Sequence, residues 1–206
     1  MRVTQIVELS KRRSKIYIEQ EFAFVLYKGE LRIYHIREGE EIAPEDYQRI
    51  MEEVLPKRAK LRAMNLLQSR EYTTAQLRAK LKQGLYPEAV IEQALEYVAA
   101  FHYTDDARYA VDYITYHENS RSRRRMEQDL LAKGIAREVI EHAFADWEEQ
   151  GGVQDEQTMI QNLLTKKKYD PAHTDYKEQN KLCAFLMRKG FSAEQIRKAL
   201  GKSDFY

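Results

Sequence analysis

Apolar and polar residues alternate along residues 1–42 in four short runs: QIVEL (5–9), KIYIE (15–19), FAFVLY (22–27) and LRIYHI (31–36). Runs rich in β-branched and aromatic residues at a period near two predict strands, because successive side chains of a strand face opposite sides of its sheet. KGE (28–30) is a turn signal that predicts a hairpin between the third and fourth runs, and SKRRS (10–14) predicts a looser turn between the first two. Four such strands make a small sheet with a thin core of its own. The period then changes. In IAPEDYQRIMEEVL (42–55), Tyr47, Ile50, Met51 and Val54 or Leu55 recur at helical spacing. Pro44 suits a first helical position, Glu45 and Asp46 favour the positive end of the helix dipole, and Pro56 is expected to end or kink the helix. Residues 1–43 are therefore predicted as a β region and 44–56 as a connecting helix.

Beyond Pro56 the periodicity is helical throughout, and one phrase recurs: KQGLYPEAVIEQAL (82–95), AKGIAREVIEHAF (132–144) and RKGFSAEQIRKAL (188–200). Each has a glycine, a glutamate four residues later, then isoleucine, two spacers, alanine and an apolar residue. The last three positions are Ile91/Ala94/Leu95, Ile140/Ala143/Phe144 and Ile196/Ala199/Leu200, and each triple shares one helical face. The glycine after a basic helix end reads as a C-cap, where a left-handed residue is needed and cations suit the terminal carbonyls. The first copy has one extra residue between its glycine and isoleucine. TTAQ (73–76) and SAEQ (192–195) match a capping box. Each phrase follows a helical pattern, carried by Leu77 and Leu81, by Met126, Leu130 and Leu131, and by Leu182, Leu186 and Met187. Further helices lie upstream at 61–67, 105–117 and 157–164. The unit is three helices, written three times, over 57–103, 104–149 and 150–206. One unit buries little and stacking extends its core. The predicted fold is mainly α: three tandem three-helix repeats in an elongated curved array, with a small N-terminal β appendage. Gly, Pro and charge in 148–156 and 166–175 predict that the third repeat can move relative to the second.

Composition adds bounds. The 206 residues are 43% hydrophobic and 33% charged, which suits a soluble protein with a modest core. Membrane-length apolar runs and a signal-peptide core are missing, and the single Cys183 excludes an internal disulfide. A cytoplasmic location and no membrane partner are expected. The net charge of +1 conceals alternation: −2 over 1–56, +4 over 57–103, −4 over 104–149 and +3 over 150–206. Such a chain carries local basic faces rather than a global attraction to polyanions.

The stretch FHYTDDARYA (101–110), with Asp105, Asp106, Arg108, Tyr109 and Ala110, resembles the RecX family, regulators of the bacterial RecA recombinase. RRRMEQDLLAKGIAREVIEHAF (123–144) is similar to that family's second-unit helices, and the triple layout is similar over 57–206. Residues 1–56 resemble the N-terminal extension of longer members. NSRSRRR (119–125) departs, since the family often has glycine ahead of the basic residue. The resemblance implies a non-catalytic regulator that lies in the groove of the RecA–DNA filament and inhibits its ATPase and strand exchange. It also implies a place in DNA recombination, repair and the SOS response, with single- or double-stranded DNA as a further partner and no small-molecule substrate.

Candidate contacts follow from charge. Asp105 and Asp106 open a helix after Thr104. They serve capping and the dipole, or pair with Arg108 at the repeat junction, or meet a partner. Arg121, Arg123, Arg124 and Arg125 cluster at a helix N-terminus against the dipole, and so are either a solvated helix start or candidates for an anionic partner. Lys57, Arg58, Lys60 and Arg62 line another helix, with Arg70 nearby. Lys166, Lys167 and Lys168 end a helix, where the dipole explains them and a DNA groove would use them. Tyr109, Tyr113 and Tyr116 share a face, with Tyr103 close by, for packing or for stacking on bases. The histidines 35, 102, 117, 142 and 173 lack ligand spacing, nucleotide-loop and nucleophile motifs are missing, and Cys183 reads as core. No catalytic, cofactor or metal residue is assigned. The competing functions are a direct nucleic-acid-binding protein with tandem helix-turn-helix-like units, and a nuclease or other nucleic-acid enzyme using Asp105, Asp106, Glu127 or Asp129, which a metal-dependent activity screen would test.

Overall fold

The computed structural model describes residues 1–201. The end of the expected third repeat, 202–206, lies outside them. The chain divides into two compact units, Met1–Asp105 and Asp106–Tyr206.

The first unit opens with an antiparallel sheet in the order β1 (Val3–Ser10), β2 (Arg13–Ile18), β3 (Glu21–Tyr27). Ile6 pairs with Ile16, and Ile16 with Phe24, so one face of the sheet is apolar. The turn in SKRRS joins β1 to β2 as expected. The second turn is at Glu19–Gln20 and not at KGE. Both residues have positive φ, +50° and +71°, the geometry of a tight hairpin turn that matches strand twist. The chain offers no glycine there. Hydrogen bonds to the chain in and just ahead of β1 hold the turn instead: the Glu19 carboxylate accepts from the Arg2 amide at 2.7 Å, and the Gln20 amide donates to Thr4 Oγ1 at 3.0 Å.

The expected fourth strand is a helix. Lys28, Gly29 and Glu30 begin α1 (Lys28–Ile33), and LRIYHI is never a strand. Leu31 and Tyr34, three apart, pack on the core while Ile33 is 69% exposed, so a helical period had been hidden in a short alternating run. Pro56 does not end its helix either. The helical backbone runs from α2 (Pro44–Arg49) through a π turn (Ile50–Val54) into α3 (Leu55–Leu67). In the π turn the Leu55 amide bonds to the Ile50 carbonyl, five residues back. The wider register of that turn accommodates Pro56, which has no N–H to give to the preceding turn, and α3 continues past it.

With α4 (Thr74–Gln83) and α5 (Glu88–Ala100), α3 forms the first three-helix repeat. Ala59 and Ala63 of α3 and Ala94 of α5 are fully buried, and small side chains let these helices pack closely. The sheet is not an appendage with a thin core. Val3, Ile16, Phe24 and Leu26 join Ile50, Leu55, Leu77 and Ile91 in one continuous cluster.

The second unit contains α6 (Asp106–His117), α7 (Arg123–Ala132) and α8 (Arg137–Glu149), then α9 (Glu156–Lys166), α10 (Tyr176–Arg188) and α11 (Ala193–Ala199). Ala110, Ile114, Met126, Leu130, Ile140 and Phe144 fill one core, and Met159, Ile160, Leu164, Leu186 and Ile196 the next. Cys183 is half-buried against the latter. Thr73 and Ser192 cap α4 and α11 through the two expected capping boxes. Gly134 and Gly190 take the left-handed conformation, φ +82° and +95°. Gly84 does not: Leu85 has φ +63° in its place. Counted from the left-handed residue, the buried isoleucine follows six residues later in every copy, which absorbs the extra residue of the first. Gly84 serves close approach instead, since a Cβ there would lie 2.9 Å from the Tyr86 ring.

The segment 148–156 is docked rather than a loose tether. Gly152 lies flush on Trp147, where an added Cβ would be 2.2 Å from the indole. Gln154 donates to the carbonyls of Glu118 at 2.9 Å and Arg121 at 2.7 Å. The Ser122 amide bonds to the Lys189 carbonyl at 3.0 Å, so the end of α10 caps the start of α7. The expected freedom of the third repeat is opposed at this junction. Segment 166–175 lies within the third repeat, folded on Asp170, which accepts from the Ala172 amide at 2.9 Å.

Candidate interaction surfaces

The arginines of 121–125 serve mostly within the fold. Asp129, on α7 with its side chain only 15% exposed, gathers three donors. Arg121 pairs with one of its oxygens, Arg125 reaches the other at 2.9 Å, and the Tyr113 hydroxyl donates at 2.9 Å. Burial pushes the Asp129 carboxyl up, but the Tyr113 hydrogen bond and the two guanidinium charges outweigh it and hold the group below the usual range. Burial and that carboxylate push Tyr113 the other way, so the phenol remains the donor. Burial, then Arg121, lowers His117, whose ring sits 4.4 Å from that of Tyr113. Arg123 pairs with Glu148 and with Glu127 at 3.2 Å, and its guanidinium covers the Phe144 ring at 4.3 Å. Arg124 alone of the four has no ion-pair, hydrogen-bond or ring partner among the described residues. The cations set against the helix dipole are thus largely explained by acids one turn on in α7, Glu127 and Asp129, together with Glu148 from α8.

The basic residues of the first unit also separate. Arg58 is an internal clamp: it pairs with Glu30, donates to the Val25 carbonyl at 3.1 Å and lies 4.6 Å over the Tyr27 ring. Arg70 lies 4.3 Å over Tyr72. Lys57 and Arg62 are exposed. Lys60 is half-buried, its Nζ 5.1 Å from the Tyr97 ring. Tyr97, Phe101 and Tyr103 form an exposed aromatic row, with ring centroids 4.9 Å and 6.1 Å apart, and Leu61 is exposed as well. The sequence reading missed Tyr97 and Phe101 as surface residues. Their spacing of four, off the buried stripe of Ile91, Ala94, Leu95 and Val98, was the available signal.

Tyr109 and Tyr113 pack on the second core, with Lys133 Nζ 5.6 Å and 5.4 Å from their rings. Tyr116 leaves that face and is 81% exposed. Asp105 is exposed just ahead of α6, and Asp106 and Arg108 lie in its first turn. Lys166, Lys167 and Lys168 are exposed at the end of α9. Asp105, Asp106, Glu127 and Asp129 are not brought together: among the described residues, no three His, Cys, Asp or Glu side chains converge to hold a metal. Nor is any described helix long and apolar enough to cross a membrane.

Family models for the first, second and third three-helix domains of RecX match residues 59–97, 105–143 and 154–200. Regulatory protein RecX of Caldanaerobacter subterraneus subsp. tengcongensis is 31% identical over 97% of this chain and 98% of its own. The chain belongs to the RecX family. RecX of Vibrio vulnificus is 36% identical over 67% of this chain and 88% of its own. A crystal structure of regulatory protein RecX shares the fold, with a TM-score of 0.57 and 21% identity over 97% of this chain and 98% of that one. RecX from Lactobacillus salivarius gives a TM-score of 0.53 at 22% identity, covering 72% and 96% of the two chains. The near-complete alignment with the Caldanaerobacter relative extends the likeness into the N-terminal sheet, which shares its core with the first RecX repeat.

Proposed function

We propose that this RecX chain binds the RecA–DNA filament and inhibits recombinase ATPase and strand exchange, as a non-catalytic regulator in cytoplasmic DNA recombination, repair and the SOS response. The observation that carries this reading is the likeness over nearly the whole chain to a protein named regulatory protein RecX. A docking regulator needs exposed anchors more than convergent catalytic groups. Tyr97, Phe101 and Tyr103, flanked by Lys60, supply aromatic anchors of the kind enriched at interface centres. Arg124, Lys57 and Arg62 supply exposed positive charge.

The test is co-sedimentation with preformed RecA filaments on single-stranded DNA, with and without ATP, alongside an ATPase titration. Wild type should pellet with the filament and depress turnover, and Phe101→Ala should do both less well at unchanged melting temperature. A chain that stays in the supernatant and leaves turnover untouched refutes the proposal. Direct nucleic-acid binding as the main activity would instead persist without recombinase and weaken steeply with salt.

A further inference from the structure

The third repeat carries a concave basic site at the edge of its core. The loop after α9 and one side of α10 enclose an open cleft of about 340 Å³. Lys167 and Lys168 come from the loop side, Lys181 and Arg188 from α10, against a single acid, Glu178. Phe185 lines the space between them, and Leu182 and the ring of Tyr169 extend the apolar part. Lys167 Nζ lies 5.1 Å from the Phe185 ring centre, so charge and aromatic surface adjoin.

The helix dipole accounts for cations at the ends of α9 and α10. It does not account for Lys181 in the middle of α10, beside the exposed edge of core aromatics in the same cleft. Lys168 holds the left-handed position after α9. It stands at φ +55°, whereas Gly134, Gly151 and Gly190 fill the left-handed positions after α7, α8 and α10. Leu85 and His102 take the same conformation after α4 and α5, so the backbone there does not demand glycine, and at Lys168 it projects a lysine side chain at the rim of the cleft.

We propose that this cleft is a nucleotide-binding site, with the ammonium and guanidinium groups taking the phosphate and the aromatic surface meeting the base. The space lies at the lower end of the roughly 300–1,000 Å³ typical of ligand pockets, which suits one nucleotide unit. Base–aromatic stacking beside phosphate-binding cations is how single strands are held without sequence preference. The nucleotide is either free or one residue of a single strand. The proposal does not rest on the recombinase reading, because it is tested with no recombinase present.

The experiment titrates full-length isotope-labelled protein with thymidine monophosphate and, separately, with a short oligothymidylate, reading amide shifts across the loop after α9 and along α10. Strand affinity is measured by fluorescence anisotropy over a salt series. Lys168→Gly removes the ammonium while favouring the existing backbone, and Lys181→Gln removes the second charge from an exposed helix position. The double variant should bind the strand about three- to tenfold more weakly, with a salt slope shallower by about 1.4, near 0.7 for each lost phosphate contact. Its melting temperature should not fall. Shifts with the monophosphate identify a free nucleotide as the ligand, shifts with the strand alone identify a strand, and either supports the site. Wild-type affinity in the double variant, an equal loss in an Arg124→Gln control, or a cleft that answers to oligoglutamate but to neither nucleotide probe overturns it.

Discussion

Gly190→Ala tests the junction between the second and third repeats. Gly190 sits at φ +95°, and a Cβ there would lie 2.2 Å from Ser122 Oγ, 2.5 Å from Arg125 Cβ and 3.1 Å from the Arg125 amide nitrogen. Ser122 is fully buried as the N-cap of α7, accepting from that amide at 3.2 Å. Rotating Ser122 would relieve only the first contact and would break the cap of α7, while Arg125 Cβ and its amide are fixed to the backbone. Left-handed strain in an L-residue costs about 1–2 kcal/mol. Forcing a carbon into a filled site costs about 1–3 kcal/mol more. The sum, about 2–5 kcal/mol, corresponds to a fall of roughly 4–20 °C at about 2–4 °C per kcal/mol for a chain of this length. Trp147 reports it, being the single tryptophan, buried beneath Gly152 and donating to Glu118 at 2.9 Å. Gly29→Ala is the control, since its added Cβ meets no atom within 4 Å and its φ is ordinary. A Gly190→Ala transition within a degree of wild type would refute the packing argument.

Ile140, 2% exposed in the second core, should cost about 2–5 kcal/mol when changed to alanine, read as a lower urea midpoint. Replacing Arg123, Arg124 and Arg125 together by alanine should lower the melting temperature, because two of the three hold Glu148, Glu127, Phe144 and Asp129. Arg124→Ala alone should leave it unchanged, so any effect on RecA inhibition would belong to that side chain. His117 should make stability fall as the solution is acidified from about pH 6.5, the unperturbed histidine value. Its folded pKa is depressed by burial and Arg121, so below that pH the unfolded chain binds the proton first. His117→Gln should flatten the urea midpoint between pH 7 and 5, and an unchanged slope would show that His117 is not the group responsible.

Local signals wrote the repeats. The capping boxes at Thr73 and Ser192, and the Ile–Ala–apolar stripes, follow from hydrogen bonds and periodicities that operate within a dozen residues, so the sequence alone placed α4, α5, α7, α8, α10 and α11. It also carried the family, through Asp105, Asp106, Arg108 and Tyr109. Long-range contact decided the rest. LRIYHI is too short for its period to choose between strand and helix, and its fate followed from Leu31 and Tyr34 docking on a core shared with α3 and α5. Pro56 reads as a stop until a π turn at Ile50–Val54, which no local motif announces, carries the helix past it. In the basic cluster at 121–125, the (i,i+4) partners Glu127 and Asp129 were legible along the helix, but Glu148 and Phe144, which also hold Arg123, lie more than 20 residues away. Charge can be counted along a chain, but whether a cation is paired or exposed depends on which acid the fold brings within hydrogen-bonding distance.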